Sequence, residues 1–196
     1  MFAILLVVAA YLIGSIPVGV LIGRMFGIDP RAVGSRNIGM TNVARAAGRG
    51  AAILTFIGDL SKGAMPVLAA RVSGTDTTTL AVVALAAFFG SIFSVFLLFK
   101  GGRGVSASLG IWLALAPVPT LIAFALFGVV VAITRIVSLG SVCAAIAMPL
   151  IIALMGFPRT YEALVIVMAF LVLLRHRENL MRLASGQEPK MGSRAA

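Results

Sequence analysis

Histidine, cysteine and tryptophan each occur once in this chain, and only six side chains are acidic. A single His176 and a single Cys143 cannot build a zinc site, which needs three or four nitrogen, sulfur or carboxylate ligands. Nor can one cysteine form an intramolecular disulfide, and Cys143, set in an apolar run, reads as a packing residue. There is no Gly-x-Ser-x-Gly nucleophile elbow. No lysine follows a glycine, so no Walker A loop is present, and the fifth residue after His176 is Met181, so a His-x₄-Asp signature is missing too. Charge is scarce overall: 11% of the 196 residues are charged and 61% are hydrophobic, whereas soluble domains are about one quarter charged. With a mean hydropathy of +1.12, the chain reads as an all-α polytopic membrane protein, a single integral-membrane domain over 1–196. No repeat, inverted or direct, is visible.

What charge there is carries one sign. Sixteen Lys and Arg give a net charge of +10. The cations punctuate apolar runs and are not interleaved with aromatics, which argues against nucleic acid. They fit membrane topology, anionic headgroups and an anionic substrate. No Lys or Arg precedes the first apolar run, so a cleaved signal peptide is not expected.

Seven apolar stretches are expected to span, at 1–23, 50–72, 80–99, 105–116, 121–134, 139–157 and 163–174. The doubtful one is 105–116. Its twelve residues reach only about 18 Å as a helix, against a hydrocarbon core of about 30 Å. Charge decides the matter. If 105–116 spans, thirteen cations lie on one side, with only Arg71 and Arg159 on the other; if it does not, the split is eight to seven. The positive-inside rule selects seven spans, an external N-terminus and a cytoplasmic C-terminus.

That topology puts three polar stretches on the cytoplasmic side. The first is 34–45, with Ser35, Asn37, Thr41 and Asn42 as hydroxyl or amide side chains, Arg36 and Arg45, and two glycines, Gly34 and Gly39. Glycine-freed backbone N–H groups, hydroxyl donors and guanidiniums suit a phosphate. Thr41 or Asn42 is placed to cap the next helix. The second is Lys100 followed by Gly101, Gly102, Arg103 and Gly104, just before a helix start. The third is the basic segment 175–190, which contains His176, with Asn179 three residues on. Neighbouring cations disfavour imidazolium and favour a neutral His176. Asp59 and Lys62 also share a helix face inside an apolar run. They read either as a mutual ion pair that pins packing or as a floor for the site.

These residues carry a resemblance. Gly34-Ser35-Arg36-Asn37-Ile38-Gly39-Met40-Thr41-Asn42-Val43-Ala44-Arg45, Gly58-Asp59-Leu60-Ser61-Lys62-Gly63, Phe99-Lys100-Gly101-Gly102-Arg103-Gly104-Val105 and His176-Arg177-Glu178-Asn179-Leu180-Met181-Arg182-Leu183, with Gly186, Glu188 and Lys190, resemble the bacterial acyl-phosphate-dependent glycerol-3-phosphate acyltransferases, the PlsY family. The match runs in order along the whole chain. It implies a seven-helix enzyme of the bacterial inner membrane, active on the cytoplasmic face, that uses neither metal nor other cofactor. Its substrates would be glycerol-3-phosphate and a fatty acyl phosphate met in membrane lipid; protein partners are not indicated.

By that resemblance, Ser35, Arg45 and Lys100 would hold the phosphate of glycerol-3-phosphate. Arg36, Asn37, His176 and Asn179 would orient and polarise the acyl phosphate. Gly34, Thr41, Asn42, Lys62, Gly101, Gly102, Arg103, Gly104, Arg182, Glu188 and Lys190 would complete the substrate-binding set. The substrate's own phosphate would take the hydroxyl proton, with His176 as the alternative base. Three departures stand out: the family usually has a His and a Pro where this chain reads Gly90-Ser91-Ile92-Phe93-Ser94, with Ser91 in the place of the His; it usually has Lys for Arg103; and it usually has Thr for Ala107. A small anion or lipid transporter is the competing reading, with a catalytically altered paralogue as a third. Polarity gathered at one face, not through the midplane, favours interfacial chemistry. A reporter fused to the C-terminus is expected to read cytoplasmic; a periplasmic signal would overturn the topology.

Overall fold

The computed structural model describes residues 1–192. Among these the regular structure is entirely helical: α1 (Phe2–Ser15), α2 (Val18–Met25), α3 (Met40–Val72), α4 (Thr77–Ile92), a 3₁₀ turn (Val95–Leu97), α5 (Val105–Leu115), α6 (Pro117–Thr134), α7 (Val137–Leu154), α8 (Arg159–Arg175) and α9 (Arg177–Ala184). Five stretches are long and apolar enough to cross a membrane: Phe2–Met25, Met40–Val72, Thr77–Leu97, Pro117–Thr134 and Val137–Leu154. The shorter Val105–Leu115 is also apolar, and α8 has 17 residues. The chain is thus a multi-pass membrane protein. Arg194, counted above among the cytoplasmic cations, lies outside the described residues.

The described residues form two compact units, 1–115 and 116–192. In the first, α1 packs on α4, and α3 packs on α5, α4, α2 and α1. Its interior mixes small residues with a few large ones: Ala51, Ala70, Ala84, Ala87 and Ala107 are buried beside Phe88, Ile92 and Ile111, while Leu5, Ile53 and Leu68 lie exposed. Lipid is as apolar as leucine, so burying large side chains drives little; close van der Waals packing holds membrane helices together. The α3–α5 contact shows how close. A Cβ on Gly63 would stand 2.2 Å from the Ala107 carbonyl oxygen, and one on Gly110 would stand 2.0 Å from that of Leu60. In the second unit, α7 packs between α6 and α8, and α9 follows α8.

Several local features differ from the sequence expectation. The first loop ends at Gly39, not Arg49, because α3 starts at Met40 and bends at Gly48 (φ 85°, ψ −178°). The expected caps are also not found. Gly39 is the N-cap, and neither Thr41 nor Asn42 caps α3; both already lie within its first turn. The first span is interrupted between Ser15 and Val18 by Pro17, which has no N–H to continue the helix. Lys62 meets that interruption. Its ammonium donates to the Ile16 carbonyl at 2.9 Å and pairs with Asp59 at 2.8 Å. This is the ion-pair reading of those two residues, with the added task of satisfying a carbonyl in a dry setting. Arg71 likewise donates to the Leu115 carbonyl at the end of α5. Asp76 caps α4 by accepting from the Thr78 and Thr79 amides.

Gly63→Ala and Gly110→Ala are each expected to destabilise the protein by about 1–3 kcal/mol, since overpacking forces backbone apart. Gly128→Ala, whose Cβ would meet nothing within 4 Å, is expected to leave stability unchanged or raise it. Thermal unfolding in detergent distinguishes the three.

Candidate active site

Short-range hydrogen bonding explains the shape of the first loop. Asn42 is 2% exposed, and its side chain is bonded wholly to backbone. Its Oδ1 accepts from the Ser35 N–H at 3.0 Å. Its Nδ2 donates to the carbonyls of Pro30, Val33 and Asn37 at 2.8, 3.1 and 2.9 Å. The Arg36 N–H bonds the Val33 carbonyl, and the Gly39 N–H bonds Asn37 Oδ1 at 2.8 Å. Gly34 and Arg36 both adopt left-handed backbone, with φ of 56° and 55°. Glycine does this freely, but an arginine there is strained by about 1–2 kcal/mol.

The glycine loop follows the same rule. The Gly101 and Gly102 N–H groups bond the Ile92 and Ser91 carbonyls at the end of α4. Gly104 is left-handed (φ 77°), and a Cβ there would strike the Phe88 ring at 2.6 Å. Before Lys100, Leu98 and Phe99 are also left-handed, at φ 50° and 62°. Two consecutive strained residues of this kind direct attention to the cation they precede.

These bonds correct one expectation. The glycines do not hold a nest of free amides, because the N–H groups of Ser35, Arg36, Gly39, Gly101 and Gly102 are spent inside the protein. Buried backbone donors must find partners, and here the nearest acceptors are the protein's own. Donors remain on side chains. Among the described residues, Ser35 Oγ, the Arg36 guanidinium, Asn37 Nδ2 and Lys100 Nζ have no hydrogen bond or ion pair. All four are donors and two are cationic, a set that suits an anion. The two motifs also meet: a Cβ on Gly102 would lie 3.8 Å from Asn37 Oδ1 and 3.5 Å from Ile38. Arg45 and Thr41 are half-buried in the same unit, and so are Gly101, Arg103 and Gly104.

Beside Lys100 lies a cavity of about 250 Å³ lined by Arg31, Phe96, Leu97, Leu98 and Lys100. Arg31 is gripped by Asp29, and the hydrogen bond from that guanidinium holds the Asp29 carboxyl at about 2. The pair therefore stays ionised across the physiological range. Ser91, standing where the family resemblance expects His, is buried and donates to the Phe88 carbonyl of its own helix.

In the second unit, Glu188 is the centre. It accepts from Ser138 Oγ at 2.7 Å, from Asn179 Nδ2 and from Arg182 Nε at 2.8 Å. The site residues Asn179, Arg182 and Glu188 are thereby brought together, with Glu188 fixing the other two. The Asn179 side-chain oxygen is buried and has no partner among the described residues. His176 is 2% exposed. Its Nδ1 lies 2.8 Å from the Val172 carbonyl, so the tautomer protonated at Nδ1 fits, with Nε2 carrying the lone pair. Lys190 is exposed. Sequence reasoning missed Ser138; its only signal was a hydroxyl at the start of α7.

Burial opposes ionisation of Glu188, but the hydrogen bonds from Ser138, Asn179 and Arg182 outweigh it and hold the carboxyl below the usual carboxylate range. A depressed carboxyl stabilises the fold at neutral pH, and that contribution is lost as pH falls through its native titration. Glu188→Gln is expected to cost about 1–2 kcal/mol at pH 7, discounted for partial solvation. The gap to wild type should close as pH falls below the carboxylate range; a pH-independent gap in thermal unfolding would contradict this.

Comparison with known proteins places the chain among relatives. The family model described as Glycerol-3-phosphate acyltransferase matches residues 4–186. The chain is 47% identical over 185 residues to the glycerol-3-phosphate acyltransferase of Geobacter sulfurreducens, covering 94% of this chain and 95% of the relative. It is 47% identical over 195 residues to that of Rubrobacter xylanophilus, covering 100% and 98%. A crystal structure of PlsY (YgiH), an integral membrane glycerol 3-phosphate acyltransferase in its glycerol 3-phosphate form, superposes with a TM-score of 0.94 at 40% identity, covering 98% of this chain and 96% of that one. The lysophosphatidic acid form gives 0.92 at 38% identity, with the same coverage. With the family model spanning nearly all of the sequence, the chain belongs to the glycerol-3-phosphate acyltransferase family.

Proposed function

We propose that this membrane acyltransferase moves a fatty acyl group from acyl phosphate to the 1-hydroxyl of glycerol-3-phosphate. The observation that carries the reading is the donor set of Ser35, Arg36, Asn37 and Lys100 in the first unit, in a chain whose relatives are named for glycerol-3-phosphate acylation. Acyl phosphate is already activated, so no covalent enzyme nucleophile is needed. The hydroxyl oxygen attacks the acyl carbonyl, the carbon–oxygen bond to phosphate breaks, and lysophosphatidic acid and phosphate leave. The departing phosphate takes the hydroxyl proton, with His176 as the alternative acceptor. The protein's part is positioning and charge stabilisation.

Ser35, Arg45 and Lys100 hold the phosphate of glycerol-3-phosphate in this account. Arg36 and Asn37 address the acyl phosphate. In the second unit His176 and Asn179 are read as catalytic residues, and the unpaired buried oxygen of Asn179 suits a hydroxyl donor. Gly34, Thr41, Arg103 and Lys190 lie along the same motifs. Glu188 and Asn42 organise neighbours, Lys62 anchors the break in the first span, and Gly101 and Gly102 give close packing. The cavity at Lys100, with walls from Phe96, Leu97 and Leu98, suits an amphiphilic anion. No metal or organic cofactor enters the scheme. The chain is read as one integral-membrane domain with seven spans, an external N-terminus and a cytoplasmic C-terminus. That places the reaction at the cytoplasmic face of the bacterial inner membrane, and the charge asymmetry of the loops supports it.

Purified protein given glycerol-3-phosphate and palmitoyl phosphate is expected to release phosphate. Arg36→Ala and Lys100→Ala are each expected to lower the rate by about 100-fold or more, the scale for removing one charge-stabilising donor. No release above background from wild type would contradict the assignment. Full activity of His176→Ala would eliminate His176 as the base.

A further inference from the structure

Asn42 touches the backbone on both sides of Arg36. It accepts the Ser35 N–H and donates to the Asn37 carbonyl, so the Gly34–Ser35 and Asn37–Ile38 peptide units, which bracket the three residues 35–37, are both tied to one side chain. Arg36 between them is left-handed at φ 55°, a conformation that a free arginine rarely holds. Two further bonds, to Pro30 and Val33, fasten the incoming chain to the same amide. Asn42 itself sits in the first turn of α3 with Val43, which is fully buried. The helix thus holds the amide, and the amide holds the loop.

We propose that Asn42 is a positioning residue for acyl transfer. It clamps residues 35–37 in the strained geometry that presents Ser35, Arg36 and Asn37 side chains to the substrate phosphates, without touching substrate itself. The inference rests on the proposed acyl transfer at this loop and reassigns Asn42 from the substrate contacts. Only an amide meets the chemistry: one acceptor for an N–H and two N–H donors shared among three carbonyls. Aspartate has the same shape but sets a carboxylate oxygen against those three carbonyls, keeping only the Ser35 bond. Released, Arg36 relaxes to right-handed or extended backbone and its guanidinium moves away. Arg45, one helical turn on from Asn42, stays where α3 puts it.

The test compares wild type, Asn42→Asp and Asn42→Ser; the smaller serine leaves room for water to replace the lost donors. Three quantities are read for each: thermal unfolding in detergent, amide hydrogen exchange of residues 33–38 against residues in α3 and α4, and the kinetic constants for both substrates. The expected result is a folded protein with α3 and α4 still protected, faster exchange at Ser35 and its neighbours, and kcat/KM reduced by about 100-fold, the scale for misplacing reacting groups by about 1 Å. Wild-type kinetics in both variants despite faster exchange at 33–38 would overturn the inference. Loss of fold in both would also overturn it, because Asn42 would then serve the fold at large. If wild type itself neither binds glycerol-3-phosphate nor releases phosphate, the functional reading falls and this inference with it. An active wild type matched by its variants removes the inference alone.

Discussion

The four hydrogen bonds of Asn42 are the interaction on which the first unit's site depends. A loop that leaves one membrane helix and enters another must pair its polar backbone or pass it to water. Here one buried amide collects the Ser35 N–H and three carbonyls, and the remaining turns close on themselves. The consequence is chemical. Once the backbone is satisfied internally, binding an anion falls to side chains, and among the described residues Ser35 Oγ, the Arg36 guanidinium, Asn37 Nδ2 and Lys100 Nζ are donors without partners. Glu188 does related work in the second unit, gathering Ser138, Asn179 and Arg182 around one carboxylate.

Much of this was legible in the sequence. Composition and hydropathy alone identify a helical membrane protein, because few charges and long apolar runs leave no other solution for the backbone. The motifs around Ser35, Lys100 and His176 stand out as polar islands, and their order suffices to suggest the family. The Asp59–Lys62 pair follows from three-residue spacing on a helix.

What escaped the sequence were contacts between distant residues. Nothing in the run around Asn42 says that its amide turns back to Pro30, twelve residues away. Glycines at 101 and 102 look like exposed phosphate-binding backbone until their N–H groups are seen to bond the end of α4. Glycine serves two ends, free amides and close approach, and local sequence does not separate them. Lys62 bonds the Ile16 carbonyl 46 residues away, in a helix break that the sequence shows only as Pro17. Ser91 is the converse case. A hydroxyl where the family resemblance expects an imidazole invites a substrate role, yet it donates to its own helix at Phe88.

In the proposed reaction side chains, not loop amides, hold the phosphate. A crystal structure of this protein with glycerol-3-phosphate bound tests it directly. Phosphate oxygens are expected at hydrogen-bond distance, about 2.7–3.2 Å, from Ser35 Oγ and Lys100 Nζ. The Ser35, Gly39, Gly101 and Gly102 amides should remain bonded to Asn42, Asn37, Ile92 and Ser91. A phosphate seated on those four amides, with their internal bonds broken, would contradict it.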